Sequence, residues 1–134
     1  MSFLDIFKSQ SKPNWFKMMP KEIVGAMEMM IKSNPQACTA HVIPEGVGRF
    51  GLEKSNPIPV YGVPENEVYL SRLRLMNGER VRWRRIGSSE IANIHSPIDE
   101  YEIFNLNGDT ITYLYISPYH LKTSKKAPQG FKIV

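Results

Sequence analysis

Two Asn-Gly dipeptides, Asn77-Gly78 and Asn107-Gly108, constrain this chain more than any other feature of its sequence. Asn-Gly favours the tight turn of a β-hairpin, because both residues tolerate the backbone angles that such turns require. The residues on either side of each pair largely alternate between apolar and polar, as in strands with one buried face. The sequence therefore predicts two β-hairpins, over residues 68–86 and 100–117.

The loop length of the first hairpin decides which side chains share a face. A two-residue loop would mix arginines with apolar residues on both faces, which a half-buried sheet disfavours. A three-residue loop ending at Gly78 pairs Leu75 with Glu79 and separates the two kinds of residue. The apolar face then holds Tyr69, Leu73, Leu75, Val81 and Trp83, and the basic face holds Arg72, Arg74, Arg80, Arg82 and Arg84. We therefore predict a five-arginine face, on which arginines of the two strands lie opposite one another.

The second hairpin is predicted with the same turn. Its apolar face would hold Tyr101, Ile103, Ile111, Tyr113 and Tyr115, and its other face Glu100, Glu102, Thr110 and Thr112 together with Phe104 and Leu114. Residues 68–86 contain six arginines and one glutamate, whereas residues 87–115 contain five acidic residues and neither lysine nor arginine. We expect the two hairpins to form an antiparallel meander in which Glu100 and Glu102 pair with arginines.

Apolar residues at helical spacing predict one main helix over residues 20–33, beginning at Pro20 and ending before Pro35. A short N-terminal helix is predicted within residues 2–7. The expected fold is therefore α+β, a four- to five-stranded antiparallel sheet with both helices on one face. At this length, residues 1–134 are expected to form a single domain. Residues 122–134 form a basic C-terminal tail, which Phe131 and Ile133 can fold back onto the body.

Composition bounds the class of protein. Apolar residues make up 42% of the chain, enough for a core, and no apolar run approaches the length of a membrane span. The single cysteine, Cys38, excludes an intrachain disulfide and is typical of a reducing compartment. We expect a cytoplasmic protein that does not bind membranes, and its oligomeric state stays open.

Several short stretches are similar to those of a group of small bacterial proteins with no assigned activity. They are Gly48-Arg-Phe-Gly51, Asn56-Pro-Ile-Pro-Val60, Tyr69-Leu-Ser-Arg-Leu73, Arg85-Ile-Gly-Ser88 and Lys126-Ala-Pro128. The resemblance covers roughly residues 46–130. It implies a bacterial source and one self-contained domain, and it carries over no site residues.

Motifs for enzyme chemistry are weak. Residues 46–51 read G-x-G-x-x-G, but Pro44 precedes them and Asn56-Pro57 follows, so no helix can open there as a dinucleotide site requires. Cys38 and His41 form half of a zinc pattern that His95 and His120 would have to complete, and a buried free thiol is the simpler interpretation. We therefore expect no metal and no cofactor.

Three hypotheses of function remain. The first is a non-enzymatic binding protein that recognises a protein partner through the five-arginine face, in an immunity-like or accessory role. The second is nucleic-acid binding by the same arginines and the lysine tail, although Trp83 and Tyr69 are predicted on the opposite face, away from the arginines that stacked bases would approach. The third is an enzyme of unrecognised type around Cys38, His41, His95 and His120.

Overall fold

A computed structural model describes residues 41–134 of the chain. It contains six strands and one helix: β1 (Ile58–Pro59), α1 (Pro64–Ser71), β2 (Leu73–Leu75), β3 (Arg82–Ile91), β4 (Ile94–Phe104), β5 (Thr110–Ser117) and β6 (Phe131–Ile133). The helices predicted over residues 20–33 and near the N-terminus lie outside the described residues.

The strands form two sheets. The larger has the order β1-β5-β4-β3, in which β3, β4 and β5 form an antiparallel meander and β1 runs parallel to β5. The smaller sheet pairs β2 with β6, antiparallel. The α+β class with a mostly antiparallel sheet is confirmed. The predicted meander of two complete hairpins is wrong, because β2 leaves the main sheet and pairs with the C-terminal segment.

Helix α1 is the reason that the first hairpin does not extend through residues 68–71. Pro64 occupies the first turn of α1, where its missing N–H costs no hydrogen bond, and Glu65 and Glu67 place negative charge at the same end. The helix buries Tyr69 and Leu70, and the Tyr69 hydroxyl donates to the Lys126 carbonyl oxygen at 2.6 Å. The residues predicted to begin a strand therefore form the last turn of a helix.

The turn of the first predicted hairpin is the predicted three-residue loop, but the two arms pair only as far as Arg74 and Arg80. The Leu75 N–H donates to the Glu79 carbonyl at 2.8 Å, Gly78 has a positive φ of 89°, and Arg74 bridges to Arg80. Beyond that bridge the two arms separate. β2 goes to β6, and β3 pairs with β4 from Arg82 onward.

A bulge in β5 reverses the predicted faces of that strand, while Tyr101 and Ile103 of β4 face the core as predicted. Ile103 lies opposite Thr112, while the next residue, Phe104, lies opposite Thr110, so Ile111 is an extra residue on β5. One extra residue moves every following side chain to the other face. Leu114 and Ile116 are therefore fully buried, whereas the Tyr113 side chain is 44% exposed. The prediction that Ile111, Tyr113 and Tyr115 form the buried face is wrong.

The meander also extends beyond its predicted ends. β3 and β4 continue to Ile91 and Ile94, which pair across a turn of Ala92 and Asn93. The Asn93 amide donates to the carbonyls of Glu45 and Ser55 at 2.9 Å each, which ties this turn to the preceding loop.

The main core lies between one face of the large sheet, α1 and the C-terminal segment. Its fully buried members are Ile58, Val60, Leu70, Leu73, Ile103, Leu114 and Ile116. Phe131 and Ile133 join this core through β6, so part of the predicted basic tail folds back.

The bulge yields a stability prediction. Leu114→Ala should lower the free energy of unfolding by about 2–5 kcal/mol, because it leaves a cavity in the core. Ile111→Ala should change it by no more than about 0.5 kcal/mol, since the bulged side chain is exposed. Urea denaturation of the full chain, followed by circular dichroism, measures both. A larger loss for Ile111→Ala than for Leu114→Ala would contradict the observed register.

Candidate partner-binding surface

The most basic part of the described chain lies along β3, an edge strand of the large sheet. Its neighbour in that sheet is β4, and no strand within residues 41–134 pairs with its other side from Arg82 onward. Arg82, Arg84 and Arg85 lie on β3, Arg80 lies two residues before it, and all four are exposed. We call this surface, the free edge of β3 from Arg82 to Arg85 together with Arg80, the arginine edge.

Two of the five predicted site residues lie elsewhere. Arg72 is the C-cap residue that follows α1, and its Nε donates to the Val134 carbonyl oxygen at 2.7 Å, next to β6. Arg74 lies in β2, and its guanidinium donates to the carbonyls of Ser71 and Leu73 at 2.8 Å each. Both arginines bind carbonyl oxygens of their own chain. The predicted five-arginine face is therefore wrong: α1 prevents Arg72 from pairing with Arg82, and Arg74 opposite Arg80 is the one predicted arginine pair that forms.

Arg84 forms an ion pair with a glutamate of the neighbouring strand, as the sequence predicted. Its guanidinium is 2.6 Å from a carboxylate oxygen of Glu102, the residue opposite it on β4. The other oxygen of Glu102 accepts a hydrogen bond from the Thr110 hydroxyl, also at 2.6 Å. The Thr110 hydrogen bond and, after it, Arg84 hold the pKa of Glu102 below its usual value. Glu100 instead pairs with Lys54, at 2.6 Å.

Arg85 is anchored on the core side of the sheet. Its guanidinium is 3.1 Å from one carboxylate oxygen of Asp99, and the Asn66 amide of α1 donates to the other oxygen at 2.8 Å. This cluster links helix α1 to strands β3 and β4. Arg80 and Arg82 have no acidic partner within the described residues. They are the two uncompensated charges of the arginine edge.

An open groove begins beside these two arginines. Its volume is about 340 Å³, and it is lined by Ser71, Arg80, Val81, Arg82 and Trp83. Trp83 lies opposite Ile103 in the ladder and packs against the core, yet it stays half-buried and its remaining surface contributes to the groove. The groove thus combines guanidinium groups with an aromatic wall.

Aromatic rings also lie on the outer face of the sheet, beside Arg82 and Arg84. The guanidinium of Arg84 lies 5.9 Å from the centre of the Phe104 ring, and Tyr113 is opposite Glu102 on the same face. The sequence predicted Phe104 on this face but Tyr113 on the buried one. The bulge at Ile111 moves Tyr113 to the outer face. Strict alternation along 110–117 carries no signal of such an inserted residue.

The glycine-rich stretch 46–51 is a loop, as predicted, and its anion-binding capacity is used by the chain itself. Gly48 has a positive φ of 101°, and the N–H of Arg49 donates to a carboxylate oxygen of Glu53 at 3.1 Å. The Arg49 side chain donates to the other oxygen at 3.1 Å. These two hydrogen bonds, the side-chain one first, hold the pKa of Glu53 below its usual value. The Glu53 carboxylate therefore occupies the position of an anion on this loop.

The three histidines of the enzyme hypothesis have different surroundings. His41 Nδ1 accepts the Lys125 N–H at 3.0 Å, and His95 is exposed on β4. His120 Nε2 lies 2.9 Å from the Ser117 hydroxyl, which in turn lies 3.0 Å from the Ser96 hydroxyl. Serine beside histidine is a nucleophile–base pair in hydrolases, but Ser117 and His120 are only 0% and 1% exposed, so a substrate cannot reach them in this conformation.

Residues 41–134 contain no group of three or more His, Cys, Asp or Glu side chains placed to hold a metal ion. Cys38 lies outside the described residues. None of the helical structure between residues 41 and 134 is long and apolar enough for a membrane crossing.

Comparisons with protein-family models, with curated proteins and with solved structures found no match to this chain.

The Glu102 contacts yield a pH prediction. Thr110→Ala removes the hydroxyl that donates to Glu102, so the pKa of Glu102 should rise toward 4.5. A lowered pKa contributes stability above pH 4.5 that is lost as the pH falls through the folded-state value, and the variant should lose less stability in that interval. Carbon-detected NMR titration of the glutamate carboxyls measures the shift.

Thr112→Ala is the matched control, because Thr112 lies opposite Ile103, and the hydroxyl that donates to Glu102 belongs to Thr110. An unchanged Glu102 pKa in Thr110→Ala, or an equal shift in both variants, would contradict the assigned hydrogen bond.

Proposed function

We propose that this chain is a non-enzymatic binding protein that recognises an acidic segment of a partner protein through the arginine edge. The observation that carries the proposal is the position of Arg80 and Arg82. Both are exposed, they lie beside an open groove, and neither has an acidic partner within residues 41–134. A bacterial cytoplasmic role of the immunity or accessory type fits this proposal.

The electrostatics favour an anionic partner. Arg74 and Arg80 lie directly opposite one another, and like charges in that position destabilise paired strands. Carboxylates supplied by a partner would offset this repulsion at Arg80. They would also pair with Arg82. Guanidinium groups also suit carboxylates particularly well, because their planar fork can donate two parallel hydrogen bonds.

The charge balance of β3 supports a restricted site rather than a uniformly basic surface. Arg84 and Arg85 are already paired with Glu102 and Asp99. These internal pairs leave the excess positive charge at Arg80 and Arg82, next to Trp83. A partner is therefore expected to place its acidic groups at that end of β3.

Nucleic-acid binding is the second candidate, favoured by one observation. The bulge at Ile111 places Tyr113 on the outer face with Phe104 and Arg84, so aromatic and basic groups lie together, as base stacking requires. Glu100 and Glu102 occupy the same face and would repel phosphates, which places this candidate behind an acidic protein.

Paired variants test the proposal. The double variant Arg80→Ala/Arg82→Ala should bind a polyglutamate peptide about 2- to 30-fold more weakly than the unmodified chain, since each exposed ion pair contributes about 0.2–1 kcal/mol. Lys122→Ala/Lys132→Ala removes the same charge from two exposed lysines of the C-terminal segment and should bind normally. Fluorescence anisotropy at low and moderate salt measures both variants.

The same assay distinguishes the two candidates. Equal weakening of binding in the two double variants would show that affinity depends on the net charge of the protein and not on Arg80 and Arg82. That result would contradict the proposed site. Tighter binding of a single-stranded oligonucleotide than of polyglutamate, lost in Tyr113→Ala, would instead support the second candidate.

A further inference from the structure

The edge of β3 offers backbone groups as well as charge. In an antiparallel ladder, every second residue of an edge strand directs its N–H and C=O away from its neighbour. β3 is ten residues long, and within the described chain it is paired with β4 alone. Its pairing with β4 is irregular at two places, at the extra residue Ile86 and between Ser89 and Ile91, so the longest regular stretch runs from Arg82 to Arg85. That stretch lies next to the groove at Trp83.

Successive side chains along Arg82–Arg85 point to opposite faces of the sheet. Arg82 and Arg84 lie on the outer face, opposite Phe104 and Glu102. Val81 and Trp83 point the other way, toward the core, and contribute to the groove. A strand added at this edge would have side chains beside guanidinium groups at one position and beside an aromatic wall at the next.

Charge argues against a second copy of the same chain as the added strand. Any register in which two copies pair over residues 82–85 brings arginines of one copy beside arginines of the other, and like charges in such positions are destabilising. Native edge strands use charged side chains in this way to prevent self-association. An extended segment with carboxylates at alternate positions has the opposite sign and meets no such repulsion.

We propose that the acidic partner segment binds as an added β-strand on Arg82–Arg85, with acidic residues at alternate positions along the row of Arg80 and Arg82 and an apolar residue beside Trp83. This inference rests on the proposed function and specifies its mode. Strand addition takes affinity from main-chain hydrogen bonds and specificity from alternate side chains. Arg84 is the next arginine of the same row, and its guanidinium is already paired with Glu102.

Two short peptides of identical composition test the mode on the full-length, nitrogen-15-labelled protein. In one peptide glutamate and valine alternate, and in the other the glutamates precede the valines. The alternating peptide should bind at least about tenfold more tightly. It should also slow amide hydrogen exchange at alternate residues of 82–85 by about tenfold or more.

N-methylation of the alternating peptide isolates the backbone contribution. One form is methylated at its glutamates and the other at its valines, so that each loses the N–H groups along one edge while keeping its side chains. One of the two forms should lose at least about tenfold in affinity and the other should bind normally, because only one peptide edge faces β3.

The outcomes separate the mode from the function. Binding that depends on Arg80 and Arg82 but is indifferent to both methylations, with unchanged exchange at 82–85, would overturn strand addition and leave the proposed function standing. Failure of both peptides to bind would overturn both proposals. A dimer of the chain with protected 82–85 amides in the absence of peptide would overturn the charge argument.

Discussion

Strand β4 determines the arrangement of the rest of the described structure, because it is hydrogen-bonded on both sides. From Asp99 to Ile103 its side chains alternate, with Asp99, Tyr101 and Ile103 on the face of the main core and Glu100 and Glu102 on the other face. Each neighbour must match that alternation. Trp83 and Leu114 consequently face the core beside Ile103 and Tyr101, while Arg84 and Tyr113 flank Glu102 on the outside. The position of every functional side chain on the sheet follows from this one strand.

On the core side of β4, the carboxylate of Asp99 is largely buried. Burying such a charge is costly unless it is paired and hydrogen-bonded. Arg85 of β3 and Asn66 of α1 supply the pair and the hydrogen bond. The Tyr101 hydroxyl is also within hydrogen-bonding distance of the Asn66 amide, at 3.2 Å. Helix and sheet are thereby fixed relative to each other, and Arg85 is held away from the uncompensated end of the arginine edge.

Local patterns predicted the elements that depend on neighbours in sequence. The turn at Gly78, the opposition of Arg74 and Arg80 and the alternation of Arg82, Trp83 and Arg84 all follow from residues a few positions apart. The two main errors have physical causes. Residues 68–71 alternate as a strand would, but Pro64 and the two glutamates after it favour a helix start, and burial of Tyr69 and Leu70 supports it. The bulge at Ile111 adds one residue to a regular pattern, and only pairing with β4 reveals it.

Exposed edge strands present a hazard of uncontrolled pairing, and arginines along β3 would serve as protection whether or not a partner exists. Two features go beyond protection. Protection requires only charge, which Arg84 and Arg85 supply while paired internally, whereas Arg80 and Arg82 add positive charge that no acid within residues 41–134 balances. Protection also requires no cavity, yet an open groove with an aromatic wall adjoins those same two residues. An edge that repels its own copy and attracts an acidic strand accounts for the charge and the groove together. The same arginine side chains would repel the arginines of a second copy and attract the carboxylates of a partner.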